Sequence, residues 1–411
     1  MSMKTKYVII GGGIASLGCI DGIRKNDKDG EITLICGENT LPYARPLISY
    51  YLENKTDTDK MQYRSEAFYK ENGVRVLKGI RAEKIENEKV FLENGETAEF
   101  EKALVATGSS PFVPPIKGLE NVKNRFSFMT VSDALALEKA VNKESRVLII
   151  GAGLIGLKCA EGLCGRAGKI TVCDLAPHLM PSVLDSECAA PVEKKFKEMG
   201  IELIFSDSIE SIENGTAKTK NGLKTDFDIL VTAVGVRPNV SLLKDIGAET
   251  ERGVIVNEKM QTSIENIYAA GDMAEGFDIT KNKKSVTAIL PNAYIGGFCA
   301  GENMAGKEAV FDNIIPMNSI GFFGCHLMTA GTYEGELYEE KTENAIKKLY
   351  VKDNRLIGFM LVGNVDKAGI YTSLIRNKTP LDTMNFDNLK KNPSLLPFSF
   401  KYRRKNLGGV L

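Results

Sequence analysis

Two stretches of the chain repeat one pattern: a short apolar run, a glycine turn, a segment of helical character, and a second apolar run. In the first, YVII leads into Gly11-x-Gly13, IASLGCIDGIRKN continues as a helix, and ITLICGE follows as a second strand. In the second, RVLIIGAGLIGLKCAEGL supplies Gly151-x-Gly153-x-x-Gly156, and KITVCD closes the unit. LPNAYIGGFCAGENMAG (290–306) predicts a helix with proline in its first turn and small residues throughout. From about residue 313 the runs NSIGFFGCHLMTAG, AIKKLYV and RLIGFMLVG predict strands, and DKAGIYTSLIRN predicts a helix. The class is α/β, with two strand–turn–helix–strand units and a C-terminal portion of different texture.

The glycine turns carry chemistry. Backbone must approach a pyrophosphate closely there, and the unpaired N–H groups at the helix start hold its charge. Glu38 stands at the end of the second strand, 27 residues after Gly11, where a carboxylate can accept from ribose hydroxyls. Asp174 holds the corresponding place 23 residues after Gly151. A carboxylate there favours a free 2′-hydroxyl over a 2′-phosphate, and Leu175-Ala176-Pro177 offers no arginine, so NADH is expected rather than NADPH. One glycine turn is weak evidence; two, each with its acid at the right distance, are strong. The first copy departs from the pattern by placing Ser16 at the third glycine, with Gly18 just beyond.

Composition narrows the partners. Lys plus Arg equals Asp plus Glu, 53 each, so no global field favours nucleic acid or anionic membrane. No run approaches the ~18 apolar residues of a membrane span, and the N-terminus shows no signal-peptide pattern, so a cytoplasmic location is expected. Eight cysteines without a CxxC and only two histidines, His178 and His326, argue against a metal centre.

Three further segments, ALVATGSSPFVPP (103–115), DILVTAVGVRPN (228–239) and NIYAAGDMAE (266–275), follow in order. With them, from about residue 6 to 380, the chain resembles the FAD-dependent pyridine nucleotide-disulfide oxidoreductases of the glutathione-reductase fold. Within these it is similar to the rubredoxin, ferredoxin and nitrite reductase-like branch. The resemblance implies two Rossmann-like three-layer dinucleotide-binding domains and a C-terminal α+β interface domain. FAD would occupy residues 1–111 with 244–312, NAD residues 112–243, and the interface domain residues 313–411. For FAD it implies Gly11, Gly13, Ile14, Ala15, Ser16, Glu38, Arg45, Pro46, Ala82, Ala106, Thr107, Gly108, Gly271, Asp272, Asn292 and Ala293. For NADH it implies Gly151, Gly153, Leu154, Ile155, Gly156, Asp174 and Gly235. Met129 is a further departure, since relatives often carry arginine before the following threonine.

In LPYARPLISYYL (41–52) the branch sets an aromatic, a basic residue and a proline beside the flavin, here Tyr43, Arg45 and Pro46. Arg45 can bind the pyrophosphate or the flavin; the alternative is a solvated loop arginine. The helix over 290–306 has two readings, a flat-ligand neighbour or a close-packed interdomain helix.

Disulfide reductases of this family carry their redox cysteines where this chain has LPYARPLISYYL, which has none. KCAEGLC offers Cys159 and Cys164 instead, inside the second turn's helix. Five helical residues advance ~7.5 Å and turn ~140°, which separates and misaligns the two sulfurs. They are expected to be structural thiols. Lys158 stands where relatives commonly carry glutamate near the reacting rings. It either pairs with Glu161 at i,i+3 or tunes the flavin.

Cys325-His326 points to opposite faces of a strand and is expected to be structural. Lys390, Lys391, Lys401, Arg403, Arg404 and Lys405 form a basic tail that either steers an acidic carrier or is a solvated end. The function expected is electron transfer from NADH through FAD to a small redox protein such as rubredoxin or a ferredoxin-like carrier, by a monomer or homodimer. The alternatives are an NADH oxidase or small-molecule reductase with an open flavin face, and an FAD/NADH-binding sensor or scaffold.

Overall fold

The computed structural model describes residues 2–400, which form two compact units. The first comprises residues to His178, Phe196–Phe277 and Lys283–Asp312. The second comprises Leu179–Lys195, Asp278–Asn282 and the described residues from Asn313 onward. No helix among the described residues is long and apolar enough to cross a membrane.

In the first unit, the unbroken apolar runs become strands covered on both faces; Ile32–Cys36 is buried at every position, and so is Val147–Ile150. Ser2–Ile10 lies between Ile32–Cys36 and Thr97–Val105 and runs parallel to both, with Ile9 opposite Leu34 on one side and Leu104 on the other. The second sheet repeats the plan: Arg146–Ile150 lies between Lys169–Cys173 and Ile229–Thr232, parallel to both. In each sheet the chain leaves the central strand through a glycine turn and helix to one neighbour and returns later on the other side. That reversal opens a crevice at the C-terminal end of the central strand. Ser109–Pro111 pairs antiparallel with Val236–Pro238, joining the exits of the two sheets.

The small residues of the helix Leu290–Met304 have a packing role. A Cβ on Gly297 would lie 1.9 Å from the Ala15 carbonyl oxygen, and one on Gly301 2.2 Å from that of Cys19. The first-turn helix, Ile14–Asn26, answers with Gly18 and Gly22, whose Cβ atoms would each lie 2.2 Å from the carbonyls of Tyr294 and Phe298. Two glycines four residues apart on each helix let the backbones touch. Only the N-terminal end of the later helix, at Leu290 and Ala293, reaches the cofactor cleft described below.

The second unit holds a five-stranded antiparallel sheet ordered Met317–Phe322, Cys325–Gly331, Arg355–Val362, Ile346–Lys352, Glu336–Lys341. The helix Ala368–Arg376 buries Tyr371, Leu374 and Ile375 in a core with Leu349, Phe359 and Leu361. Glu336–Lys341 is a strand that the hydrophobic pattern does not predict. Its sequence, ELYEEK, is that of a charged edge, exposed at every position but Tyr338, which leaves no alternation to detect. Lys348 is only 5 % exposed and meets Asp185 and Glu187 at 2.7 Å and Glu339 at 3.1 Å. Of the basic tail, Lys390 pairs with Asp387 at 2.6 Å and lies 5.0 Å from the Tyr338 ring centroid. Lys401, Arg403, Arg404 and Lys405 lie outside the described residues.

Candidate cofactor cleft

The crevice of the first sheet is a cleft of about 660 Å³. Gly11 stands at its base with φ +121°, and a Cβ there would lie 2.1 Å from the Ala106 carbonyl oxygen. Glycine is thus required twice, by backbone angle and by the approach of the ATG segment. Gly13 caps the helix in extended conformation, and nothing lies within 4 Å of a Cβ built on it, so this end of the turn faces open space.

Of the residues expected at FAD, Gly11, Gly13, Ile14, Ala15, Glu38, Arg45 and Ala82 line this cleft, as do Ala106, Thr107, Gly108, Gly271, Asp272 and Ala293. Ser16, Pro46 and Asn292 are not among the lining residues. Ser16 is fully buried, and its hydroxyl donates to the Gly11 carbonyl. The serine therefore braces the turn from within. Pro46 stands in the first turn of a 3-10 segment, Arg45–Leu47, and Asn292 is 6 % exposed.

Polar contacts tie the cleft wall together. The Tyr43 hydroxyl donates to Glu38 Oε2 at 2.7 Å and accepts from the Val131 N–H at 2.9 Å. Arg45 donates to Glu38 Oε1 at 2.5 Å and to the Met129 carbonyl at 3.1 Å. Arg45 is thus tied to the cleft wall although its side chain is 41 % exposed, and Met129 takes part through its backbone carbonyl. Burial pushes the Asp272 carboxyl above its ordinary value, opposed by Arg45 and by the Ser109 hydroxyl. Asn239 donates to the Thr107 carbonyl at 2.9 Å and accepts from the Ser110 hydroxyl at 2.8 Å. The RPN and ATG segments are locked to each other by these bonds.

Sequence reasoning missed Thr40, Tyr63, Arg81, Ser109 and Ser110, which also line the cleft. Ser109 and Ser110 lay inside a motif already singled out. Tyr63 had no signal, because a loop brings it in. The hydroxyls of Thr40 and Tyr63 are buried without a hydrogen-bond partner. Open glycine turn, acid at the second strand, volume and unsatisfied hydroxyls all fit a dinucleotide cofactor in this cleft.

The second turn repeats the first at its opening and capping glycines and differs at the third place, where Gly156 stands for Ser16. Gly151 has φ +113°, and its Cβ would lie 2.3 Å from the Ala233 carbonyl oxygen; one on Gly156 would lie 2.0 Å from that of Gly151. Gly153 caps the helix, Leu154 and Ile155 begin it, and Gly235, φ +113°, faces open space. Asp174 accepts from the Ala152 N–H at 2.6 Å and the Ala176 N–H at 2.8 Å. It holds the turn while keeping further lone pairs for a ribose.

KCAEGLC requires one correction. The helix ends at Leu163, and Cys164 caps it with ψ 127°, followed by Gly165 at φ +80°. A left-handed glycine stops a helix where the apolar pattern alone would continue it. Cys159 and Cys164 are both free thiols, and burial pushes both above the ordinary thiol value. Lys158 meets Glu161 at 2.5 Å and lies 5.2 Å from the Tyr50 ring centroid, and it is not among the residues lining the cleft. Cys36 is the cleft-lining cysteine among the described residues, and burial, aided by Glu38, pushes its thiol up to about 12. Such a thiol is inert near neutral pH.

Comparisons with known proteins agree with this geometry. Residues 5–294 match the family model described as pyridine nucleotide-disulphide oxidoreductase. The chain is 32% identical over 393 residues to the NADH-dependent phenylglyoxylate dehydrogenase subunit epsilon of Aromatoleum evansii, covering 92% of this chain and 93% of that protein. It is 32% identical over 392 residues to an NADH oxidase of Methanocaldococcus jannaschii, covering 87% of each. It is 26% identical over 400 residues to the NADH-rubredoxin oxidoreductase of Clostridium acetobutylicum, covering 96% of this chain and 99% of that one. With two glycine-turn crevices, their acids and these similarities together, the chain belongs to the pyridine nucleotide-disulphide oxidoreductase family and is an FAD-containing, NADH-dependent oxidoreductase.

Proposed function

We propose that this oxidoreductase passes electrons from NADH to a small redox protein, rubredoxin or a similar iron–sulfur carrier. FAD, when bound, accepts a hydride and can give up its electrons singly, which suits such an acceptor. The observation that carries the reading is the thiol chemistry of the cleft. The 41–52 segment has no cysteine, and Cys36 is held protonated, so a disulfide substrate lacks its nucleophile. In this reading the first turn, Glu38 and Asp272 hold FAD, the second turn and Asp174 hold NADH, and Arg45 steadies Glu38.

Anaerobic stopped-flow tests this. NADH is expected to bleach the flavin at a catalytic rate, and rubredoxin or ferredoxin to reoxidise it faster than O2 does. Reoxidation by O2 at least as fast as by either carrier sinks the reading. The double variant Cys159→Ser/Cys164→Ser is expected to keep full turnover in the same assay. The NADH oxidase reading draws support from the M. jannaschii relative and from Leu290, a cleft-lining residue 41 % exposed. The name of the A. evansii relative adds a variant of the protein-acceptor reading, an NADH-handling subunit of a larger dehydrogenase.

Lys158 enters this proposal as a residue that tunes the flavin from outside the cleft. Its ion pair with Glu161 compensates much of its charge. Lys158→Glu is therefore expected to lower the FAD midpoint modestly, on the order of 1 kcal/mol or roughly 20 mV for two electrons. A redox titration showing no shift removes Lys158 from the mechanism.

A further inference from the structure

We propose that Tyr63 and Thr40 are FAD-binding residues whose hydroxyls hydrogen-bond the seated cofactor. The inference rests on FAD occupying the cleft of the first sheet. Both residues line that cleft, and both hydroxyls are closed to water and without a hydrogen-bond partner. Buried polar atoms left unpaired are rare in folded proteins and call for a specific explanation.

The local backbone shows how Tyr63 comes to this wall. The Ala44 N–H donates to the Met61 carbonyl at 2.9 Å, Tyr43 bridges Gln62, and the Tyr63 N–H donates to the Pro42 carbonyl at 3.2 Å. Residues 61–63 thus run antiparallel to 42–44 as a short ladder. The two tyrosines of this ladder differ in one respect. The Tyr43 hydroxyl makes two protein hydrogen bonds, whereas the Tyr63 hydroxyl makes none. Burial pushes the Tyr63 phenol above its ordinary pKa despite the nearby Arg45, so it is a donor at neutral pH. Thr40 precedes the ladder on the same loop. A turn about χ1 exchanges its hydroxyl and methyl, and a tilt of the Tyr63 ring swings its hydroxyl, so each can meet a ligand without backbone movement.

The test uses apoprotein prepared from purified holoprotein, with Tyr63→Phe and Thr40→Val each keeping the shape of its side chain. FAD binding is read from quenching of flavin fluorescence, and thermal unfolding of each apoprotein is followed separately. Each variant is expected to raise the FAD dissociation constant about threefold to tenfold, roughly 0.7 to 1.4 kcal/mol. Apoprotein melting is expected to stay level or rise, because an unsatisfied hydroxyl has been removed. A hydroxyl with a structural role gives the opposite sign, a less stable apoprotein, and that result overturns the proposal. So does a dissociation constant within about 1.5-fold of wild type, for whichever residue shows it. A wild-type apoprotein that takes up no FAD overturns the cofactor reading itself and is distinguishable from either.

Discussion

Lys348→Met is expected to destabilise the second unit by about 2 to 4 kcal/mol, read as a lower urea midpoint at unchanged slope. Lys348 is 5 % exposed and is held by three carboxylates, two from Asp185 and Glu187 and one from Glu339. Removing the ammonium takes away the cation that Asp185 meets at 2.7 Å and leaves Lys341 alone to hold Glu187 and, at 2.9 Å, Glu339. The three acidic side chains remain 30 to 42 % exposed, so water relieves part of the loss, and the range sits at and below that for a fully buried pair. The pH dependence gives the prediction a second signature. Burial alone would lower the Lys348 pKa, but the three carboxylate hydrogen bonds outweigh it and raise it above the ordinary value. Its contribution is complete below the unfolded lysine pKa and is lost only at strongly alkaline pH. Hydrogen bonds from Lys341 and Lys348 lower Glu187 to about 2. The Glu187 contribution is therefore present above the unfolded carboxylate value, near 4.3, and fades as pH falls toward 2. In wild type, acid from pH 5 to 3 weakens the unit through this network. In Lys348→Met the network's share of that acid sensitivity shrinks without vanishing, because Lys341 still holds Glu187 in its charged form.

Gly297→Ala is expected to cost about 3 kcal/mol and to weaken FAD retention with it. The new methyl would stand 1.9 Å from the Ala15 carbonyl oxygen and 2.7 and 2.9 Å from the Ala15 carbonyl carbon and Cα. Backbone cannot swing aside as a side chain does, so the two helices must separate, at or beyond the upper end of overpacking costs. Ala15 lines the cleft two residues from the glycine cap, so the displacement reaches the cofactor cleft. Gly369→Ala is the matched control. It is helical, exposed, and has nothing within 4 Å of its Cβ position, so the same substitution there should stabilise by a few tenths to 1 kcal/mol. Equal melting temperatures for the two variants would refute the close-contact account.

The comparison of Gly297 with Gly11 shows where a sequence speaks and where it is silent. Gly11 and Gly151 announced themselves because their turns need positive φ at a fixed distance from a strand, and only glycine meets that demand. Gly297 lay in a run of small residues that fits a flat ligand and a close helix equally well. Deciding between the two took the position of Ala15, which is 282 residues away in the chain. Lys348 is a similar case. Strand alternation places it on the face of Ile346 and Tyr350, yet a lysine there reads as ordinary until Asp185 and Glu187 arrive from another part of the chain. The cysteines of KCAEGLC stand as free thiols, Cys159 buried in the helix and Cys164 beyond its end, because that helix stops earlier than its apolar pattern suggests.

The sequence by itself determined the two dinucleotide crevices, the order of their motifs and the lack of a cysteine where thiol chemistry would need one. These are local properties: a backbone angle, a glycine, an acid at the end of a strand. Tertiary structure decided which polar groups meet in the cleft. It tied Arg45 to Glu38, brought Tyr63 to the cleft wall, and set Lys158 against Glu161 and Tyr50. Such pairings depend on where loops close and helices cross. The free energy that fixes them is summed over contacts between distant parts of the chain, so no short stretch of residues carries it.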